Sequence, residues 1–584
     1  MEIRVSKESW LLLILFLGSW GTLQAQYKWK NPQEQVCPVI RGRAWQSELQ
    51  GTYARLPLKA QSKVRTPLWD LSQQSAGLSV AFYSNSPEIK IKYVAKGSRG
   101  MAHMPVTGVS GVDLYATDRN GRSRWCAGKY CFGDTITYTY SGLTYEDGSG
   151  RGYEYELFLP LYNSVSFMQI GVRENAFIDF LPVSQEKPLV IYGTSIAQGA
   201  CASRPGMAWG NIINRELKHP VINLGFSGNG KMEKEIFELL SEINARLYII
   251  DCMPNMANAT DSAMIYNRTL DGVNMLRARS DAPVLLVEHS GYMNEYTSEK
   301  VKSSYKMANT PLRRAYEDLI KNKVADIYYL TKEDIGLSMD AMVEGVHPSD
   351  LGMQQYADSY IRKIREILHE EGGNSSACIP CKQQRDPYDW TARHEQVLDL
   401  NSKNSPEILM IGNSITHYWA GEPLSDKQSG KEAWEKLFKG RRVHNLGFGW
   451  DKTENVLWRI YHGELDGFQA KTIFLLIGTN NLQFNTDREI LDAIMLLTKT
   501  IRNKQPAAKL YVIGLLPRKG MEERIRRIDS ELQDLVSETD ALYIDLTPSL
   551  INKEGRIDAS LFSDGLHPNE KGYERIASVL SSFL

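Results

Sequence analysis

The sequence predicts an N-terminal β-sandwich followed by two α/β domains, each a doubly wound parallel sheet with helices on both faces. Three observations point there. Residues up to about 185 read as short alternating strands separated by turn clusters. After Pro188, apolar strands alternate with amphipathic helical stretches. The last third of the chain then repeats that α/β pattern, motif for motif. A length of 584 residues holds three or four domains at roughly 150 residues each.

The first element is a removable one. Arg4 and Lys7 precede the apolar run Trp10 to Leu17, which is followed by Gly18-Ser19 and the small-residue pattern Leu23-Gln24-Ala25. This reads as a secretory signal peptide over residues 1–25, cleaved after Ala25. The run is far shorter than the ~20 residues of a membrane span. The mature chain is therefore expected to be exported, periplasmic or secreted, with no integral membrane segment. Export permits disulfides among the seven cysteines, and Cys126 and Cys131, flanking a short turn, are candidates for a bridge.

Residues 26–186 are assigned to the sandwich. Pro87 to Val94, Thr135 to Tyr140 and Tyr153 to Phe158 alternate in polarity, as half-buried strands do. Turns are expected at Asp118 to Gly121 and at Glu146 to Gly150. The first α/β unit, 187–369, has strands at Leu189–Tyr192, Ala245–Ile250, Pro283–Val287 and Ala325–Leu330, with helices over Lys231–Ile243 and Leu351–Leu368. Residues 370–404 are polar and read as a linker and lead-in. The second unit, 405–584, has strands at Ile408–Ile411, Thr472–Ile477, Lys509–Ile513 and Ala541–Ile544.

The two units are copies. Gly193-Thr-Ser195 corresponds to Gly412-Asn-Ser414, Asn223-Leu-Gly-Phe226 to Asn445-Leu-Gly-Phe448, and Glu344-Gly-Val-His347-Pro to Asp564-Gly-Leu-His567-Pro. The order is the same and the spacing nearly so, which identifies a tandem duplication.

The repeated residues carry chemistry. A Ser directly after a strand of an open α/β sheet faces the crevice at the carboxyl ends of the strands. To attack an ester it needs a base, and the base needs a carboxylate to fix its tautomer. His347 with Glu344, and His567 with Asp564, supply both from one loop. An oxyanion needs donors. Asn480, in Gly478-Thr-Asn480-Asn481, and Asn255, in Asp251-Cys-Met-Pro-Asn255, follow strands in equivalent places, and the turns at Gly228 and Trp450 offer backbone N–H groups.

Other chemistries are excluded or disfavoured. The 68 basic and 69 acidic side chains nearly cancel, so no cationic nucleic-acid footprint exists. No His-x-x-x-His or His-Glu-x-x-His occurs, so no metal ligand set is apparent, and neither Ser lies in a Gly-x-Ser-x-Gly elbow. No P-loop or dinucleotide fingerprint is present, and no cofactor is expected.

Gly-x-Ser, the Gly turn after Asn-Leu-Gly, the Asn block and the terminal Asp-x-x-His-Pro resemble the SGNH, or GDSL-type, hydrolase superfamily. The resemblance implies a flavodoxin-like three-layer α/β fold and cofactor-free ester hydrolysis. It implies Ser195 and Ser414 as nucleophiles, His347 and His567 as bases, and Asn255 and Asn480 as oxyanion donors beside Gly228 and Trp450. The first unit, with Gly111-Val-Asp113-Leu-Tyr115 upstream, resembles a bacterial subfamily carrying an N-terminal β-domain. The second, with Asn455 to Arg459, His462 to Leu465 and Gly514-Leu-Leu-Pro-Arg518, resembles the catalytic subunits of platelet-activating-factor acetylhydrolase Ib. The sequence departs from the family pattern in five places: Asn413 and Thr194 stand where Asp is usual beside the nucleophile, Trp450 where Gly is usual, Glu344 where Asp is usual, and Pro254-Asn255 where the family has Gly-x-Asn. The expected substrate is a small acyl ester, most of all O-acetyl on a poly- or oligosaccharide. The alternatives are a lysophospholipase-like lipid esterase, or a glycan-binding protein in which one or both units are inactive.

Overall fold

The computed structural model describes residues 26–118, 121–144, 152–257, 261–384 and 387–584. The segment read as a signal peptide and the whole turn expected at Glu146 to Gly150 lie outside these residues, as do the two central residues of the Asp118–Gly121 turn.

The N-terminal region is two antiparallel sheets. One orders its strands Tyr27–Lys30, Ser164–Arg173, Glu88–Lys96, Ile136–Ser141, Lys129–Cys131. The other orders Ile178–Phe180, Ser79–Ser84, Tyr153–Phe158, Asp113–Thr117, Ser123–Cys126, with Ile40–Arg41 added against Ser79–Ser84. Alternation explains the faces. Ile89, Ile91, Tyr93 and Ala95 point into the core, where they join Phe82, Leu114 and Tyr155 of the other sheet. Lys90 and Lys92 point outward and lie over the rings of Tyr27 and Trp29. All seven cysteines are free, so the expected Cys126–Cys131 bridge is not formed. The strands on either side of their turn enter different sheets, which buries Cys126 and exposes Cys131.

Two five-stranded parallel sheets follow. In the first unit they are β1 (Leu189–Gly193), β2 (Val221–Gly225), β3 (Leu247–Asp251), β4 (Val284–Val287) and β5 (Ile327–Leu330), in the order β2-β1-β3-β4-β5. The second repeats this as β6 (Ile408–Gly412), β7 (Val443–Gly447), β8 (Thr472–Leu476), β9 (Lys509–Ile513) and β10 (Leu542–Ile544), in the order β7-β6-β8-β9-β10. This is the flavodoxin-like order, whose switch point lies beside the first strand. Helices cover both faces, and apolar cores lie on each side of each sheet.

Strands β2 and β7 were not expected from the hydrophobic pattern, because each carries a buried asparagine. Those side chains are fully used. Asn223 Nδ2 donates to the Ala197 carbonyl at 2.7 Å, and Asn445 Nδ2 to the Thr416 carbonyl at 2.8 Å. Each oxygen accepts from the glycine N–H two residues on, Gly225 or Gly447. A polar strand residue thus ties the neighbouring serine-bearing turn to the sheet.

Each sheet is also clamped by an upstream segment. Trp45, Leu49, Leu56 and Leu68 pack in the same core as Phe226 and Phe237 of the first unit, although the chain then returns to the sandwich. From this segment the buried Arg55 donates to the Asn223 and Gly225 carbonyls at 3.2 and 2.7 Å. In the second unit the helix Trp390–Lys403 takes that place. Its Arg393 donates to the Asn445 and Gly447 carbonyls at 3.1 and 2.8 Å.

Candidate active site

The serine turn is built by the glycine that ends each first strand. A Cβ on Gly193 would stand 2.6 Å from Ala197 Cβ and 2.9 Å from the Asp251 carbonyl oxygen. On Gly412 it would stand 2.2 Å from Thr416 Oγ1. The next residue caps the short helix. Thr194 Oγ1 accepts from the Ile196 N–H at 3.3 Å, and Asn413 Oδ1 from the Ile415 N–H at 2.9 Å. The departure at these two positions therefore keeps a capping oxygen. Ser195 and Ser414 sit at the first helical position, 8% and 6% exposed, with the hydroxyl at the crevice.

The histidine loops arrive from the other end of each unit. Ser195 Oγ is 2.8 Å from His347 Nε2, and Ser414 Oγ is 2.8 Å from His567 Nε2. The loops share a fold, with the Val343 and Ser563 N–H groups donating to the His347 and His567 carbonyls. Their acids differ. Asp564 Oδ1 accepts from the Leu566 and His567 N–H groups at 3.0 and 2.8 Å, and Oδ2 takes the imidazole Nδ1 at 2.6 Å. Glu344 uses one oxygen, Oε1, for both the His347 N–H, at 3.2 Å, and the ring Nδ1. Burial raises the Asp564 pKa, but the bonds donated by His567 outweigh it and hold the carboxyl down at about 2. In both loops the acid fixes Nδ1 as the protonated nitrogen and leaves Nε2 to accept the serine proton.

The oxyanion candidates lie on the turn after β2 or β7. In the first unit the Ser227 N–H is taken by Gln198 Oε1 at 3.0 Å, and the Asn229 N–H by the Phe226 carbonyl at 2.8 Å. Among the described residues the Gly228 N–H between them has no acceptor, and its φ of 68° turns it out of the loop. In the second unit His417 Nδ1 accepts from the Gly449 N–H at 3.1 Å, in the place of Gln198. Burial, with Arg393 and Arg459 nearby, lowers its pKa to about 2, so the ring stays a neutral acceptor. Trp450 repeats the geometry of Gly228 with a φ of 67°, a costly conformation for an aromatic residue. Its indole is 55% exposed. Asn480 Nδ2 donates to the Asp451 carbonyl at 2.9 Å, which orients the amide against the same turn. The Asn255 amide oxygen, assigned from the donors that face it, accepts from the Asn229 and Gly230 N–H groups at 3.1 and 3.0 Å.

The structure also brings in residues without a sequence signal. The sandwich contributes His103, whose ring stacks on His347 with centroids 5.6 Å apart, and Tyr162, whose hydroxyl donates to the Ser195 carbonyl at 3.4 Å. The second unit uses Tyr418 beside His567, and Tyr388, whose hydroxyl donates to the Gly449 carbonyl at 2.9 Å. His103, Tyr162 and Tyr388 reach the crevices from other elements, so motif spacing could not find them, whereas Tyr418 closes the short helix that starts at Ser414.

Serine, imidazole and carboxylate in one hydrogen-bonded line, beside outward backbone N–H groups and at the carboxyl edge of a flavodoxin-like sheet, make the class a carboxylic ester hydrolase. Comparison with known proteins agrees. Models of the GDSL-like lipase/acylhydrolase family match residues 186–365 and again 410–575, and a model described as the N-terminus of an SGNH-hydrolase-type esterase matches 27–178. The structure of a GDSL-like lipase from Bacteroides ovatus is 30% identical with a TM-score of 0.54, covering 59% of this chain and 98% of that one. Platelet-activating factor acetylhydrolase IB subunit alpha2 of Rattus norvegicus is 29% identical over 222 residues, 37% of this chain and 92% of the relative. Subunit alpha1 of Bos taurus is 28% identical over 200 residues, 33% and 82%. The chain belongs to the GDSL-like lipase/acylhydrolase family, as a tandem of two hydrolase units behind a β-domain.

Proposed function

We propose that both units are serine esterases that remove small acyl groups, O-acetyl above all, from carbohydrate through an acyl-enzyme. The observation that carries this reading is the 2.8 Å Ser–His contact present in both units, each backed by an acid from the same loop. Ser195 or Ser414 attacks the ester carbonyl as His347 or His567 takes the hydroxyl proton. The oxyanion is met by the Gly228 or Trp450 N–H with the Asn255 or Asn480 amide. The imidazolium then protonates the departing sugar oxygen, and water deacylates the enzyme by the same route.

Acetyl as the acyl group is supported by the acetylhydrolase relatives. The carbohydrate part rests on the resemblance of the first unit to exported bacterial enzymes. Exposed aromatic rings support it too: Trp450 beside the second crevice, and Trp125 and Tyr130 on the sandwich, are surfaces on which a sugar face can stack. Export is supported by the basic residues Arg4 and Lys7 ahead of the apolar run Trp10 to Leu17, the pattern of a secretory leader. No described helix is long and apolar enough to cross a membrane.

The same relatives favour one second reading, an acetylated or short-chain lipid substrate. Acetate release from acetylated glycans, compared with acetate release from an acetylated phospholipid, separates the two. On p-nitrophenyl acetate, Ser195→Ala and Ser414→Ala should each leave partial turnover and the double variant none above background. Full activity in the double variant would sink the assignment.

A further inference from the structure

Away from both crevices, where sandwich, first unit and second unit meet, three buried side chains each leave a polar atom without a hydrogen bond. They are Glu186 Oε2, just before β1; His219 Nδ1, just before β2; and His462 Nε2, in the helical turn Ile460–Glu464 of the second unit. Their side chains are 7%, 1% and, by residue, 1% exposed. Each offers a ligand atom within 4.8 Å of the other two, and His219 Nδ1 lies 3.6 Å from Glu186 Oε2. That contact is longer than a hydrogen bond, and buried polar atoms without hydrogen bonds are costly, so three close together call for a shared partner.

The far side of each ring shows what that partner is. His219 Nε2 is held by Glu370 Oε2 at 2.8 Å, and His462 Nδ1 by the Trp458 carbonyl at 2.7 Å. A carboxylate or a backbone carbonyl on the second nitrogen is how metal-ligating histidines are oriented. Glu370 is itself shared with Arg246 at 3.2 Å, whereas Glu186 has no Lys or Arg partner among the described residues.

We propose that Glu186, His219 and His462 form a buried site for one divalent transition-metal ion of the zinc class, held by two imidazoles and a carboxylate. Such a ligand set suits zinc, with a water completing four-coordination. The two rings, now stacked with centroids 4.4 Å apart, tilt open to admit the ion. One ligand comes from the sandwich border, one from the first unit and one from the second, so the ion pins the three regions together. It lies outside both crevices, and its role is structural. Sequence spacing gave no sign of it, because His462 lies 243 residues beyond His219 in the chain.

The test is zinc content of the full chain after loading and removal of excess metal, read by mass spectrometry, with thermal unfolding alongside. His103, Cys201 and His347 also bring ligand atoms within 4.8 Å, so every arm carries Cys201→Ser. The Cys201→Ser chain should bind one zinc per molecule, and the ion should raise its unfolding midpoint by roughly 5 °C. Adding Glu186→Gln or His462→Gln should abolish both effects, while circular dichroism shows the chain still folded. No zinc in the Cys201→Ser chain would overturn the site, as would equal zinc in that chain and in both further variants.

Discussion

At the scale of single residues, the two sites differ most in how the acid holds its histidine. Asp564 spreads its bonds over both oxygens, whereas Glu344 brings one oxygen to the whole loop. The Asp564 pKa of about 2 lies below its ordinary 3.8. A depressed carboxyl contributes stability that is complete above the ordinary value and is lost as pH falls through the folded one. A carbon-detected carboxyl titration should therefore place Asp564 near pH 2, and a midpoint at or above 3.8 would refute the bonding described. In a Ser195→Ala background, Asp564→Asn should cut turnover by about a hundredfold or more, since the amide no longer fixes the ring's tautomer. Most of this machinery was legible in sequence because duplication wrote it twice: serine, histidine and acid stand in one order at matched spacing. His103 and Tyr162 were not, since nothing local to a sandwich loop says that it will lie over a histidine 244 and a serine 33 positions later.

Among elements, the turn after β7 rests on a buried charged network with no counterpart among the described residues of the first unit. Asp451 takes Arg459 Nε at 2.9 Å and the Trp390 indole N–H at 2.7 Å, and Arg459 pairs in turn with Glu464. The guanidinium lies 3.9 Å over the Phe448 ring. Burial raises the Asp451 carboxyl to about 6, although Arg459 opposes the rise. At the matching position the first unit has Asn229, whose side chain bonds to Arg65 at the surface. The network holds the turn that carries Trp450 in its costly backbone conformation. Arg459→Met should destabilise the second unit by about 3–5 kcal/mol, because it strands two buried carboxylates. Chemical denaturation read at Trp390 and Trp458 measures it, and a change below 1 kcal/mol would show that the pair is dispensable. The strands with unbroken apolar runs were legible in sequence. Strands β2 and β7 were not, because Asn223 and Asn445 interrupt the pattern with amides whose partners lie on a neighbouring helix.

On the scale of the whole molecule, the two arginine clamps are alike in geometry and unlike in reach. Arg393 bonds Gly447 across 54 residues, whereas Arg55 must span 170 to reach Gly225, with most of the sandwich in between. That difference bears on the order of assembly. Closing a loop three times as long costs about 1 kcal/mol more in chain entropy, and contacts at greater separation slow folding. The second unit carries its own lead-in and can close independently. The first must wait until the sandwich has brought Arg55 and Trp45 back over its sheet. During refolding, pulsed hydrogen exchange should show amides of β6 to β9 protected before those of β1 to β4. Simultaneous protection of both sheets would contradict that sequence of events. Two copies of one catalytic design thus have different kinetic fates, set by where the chain detours before completing each copy.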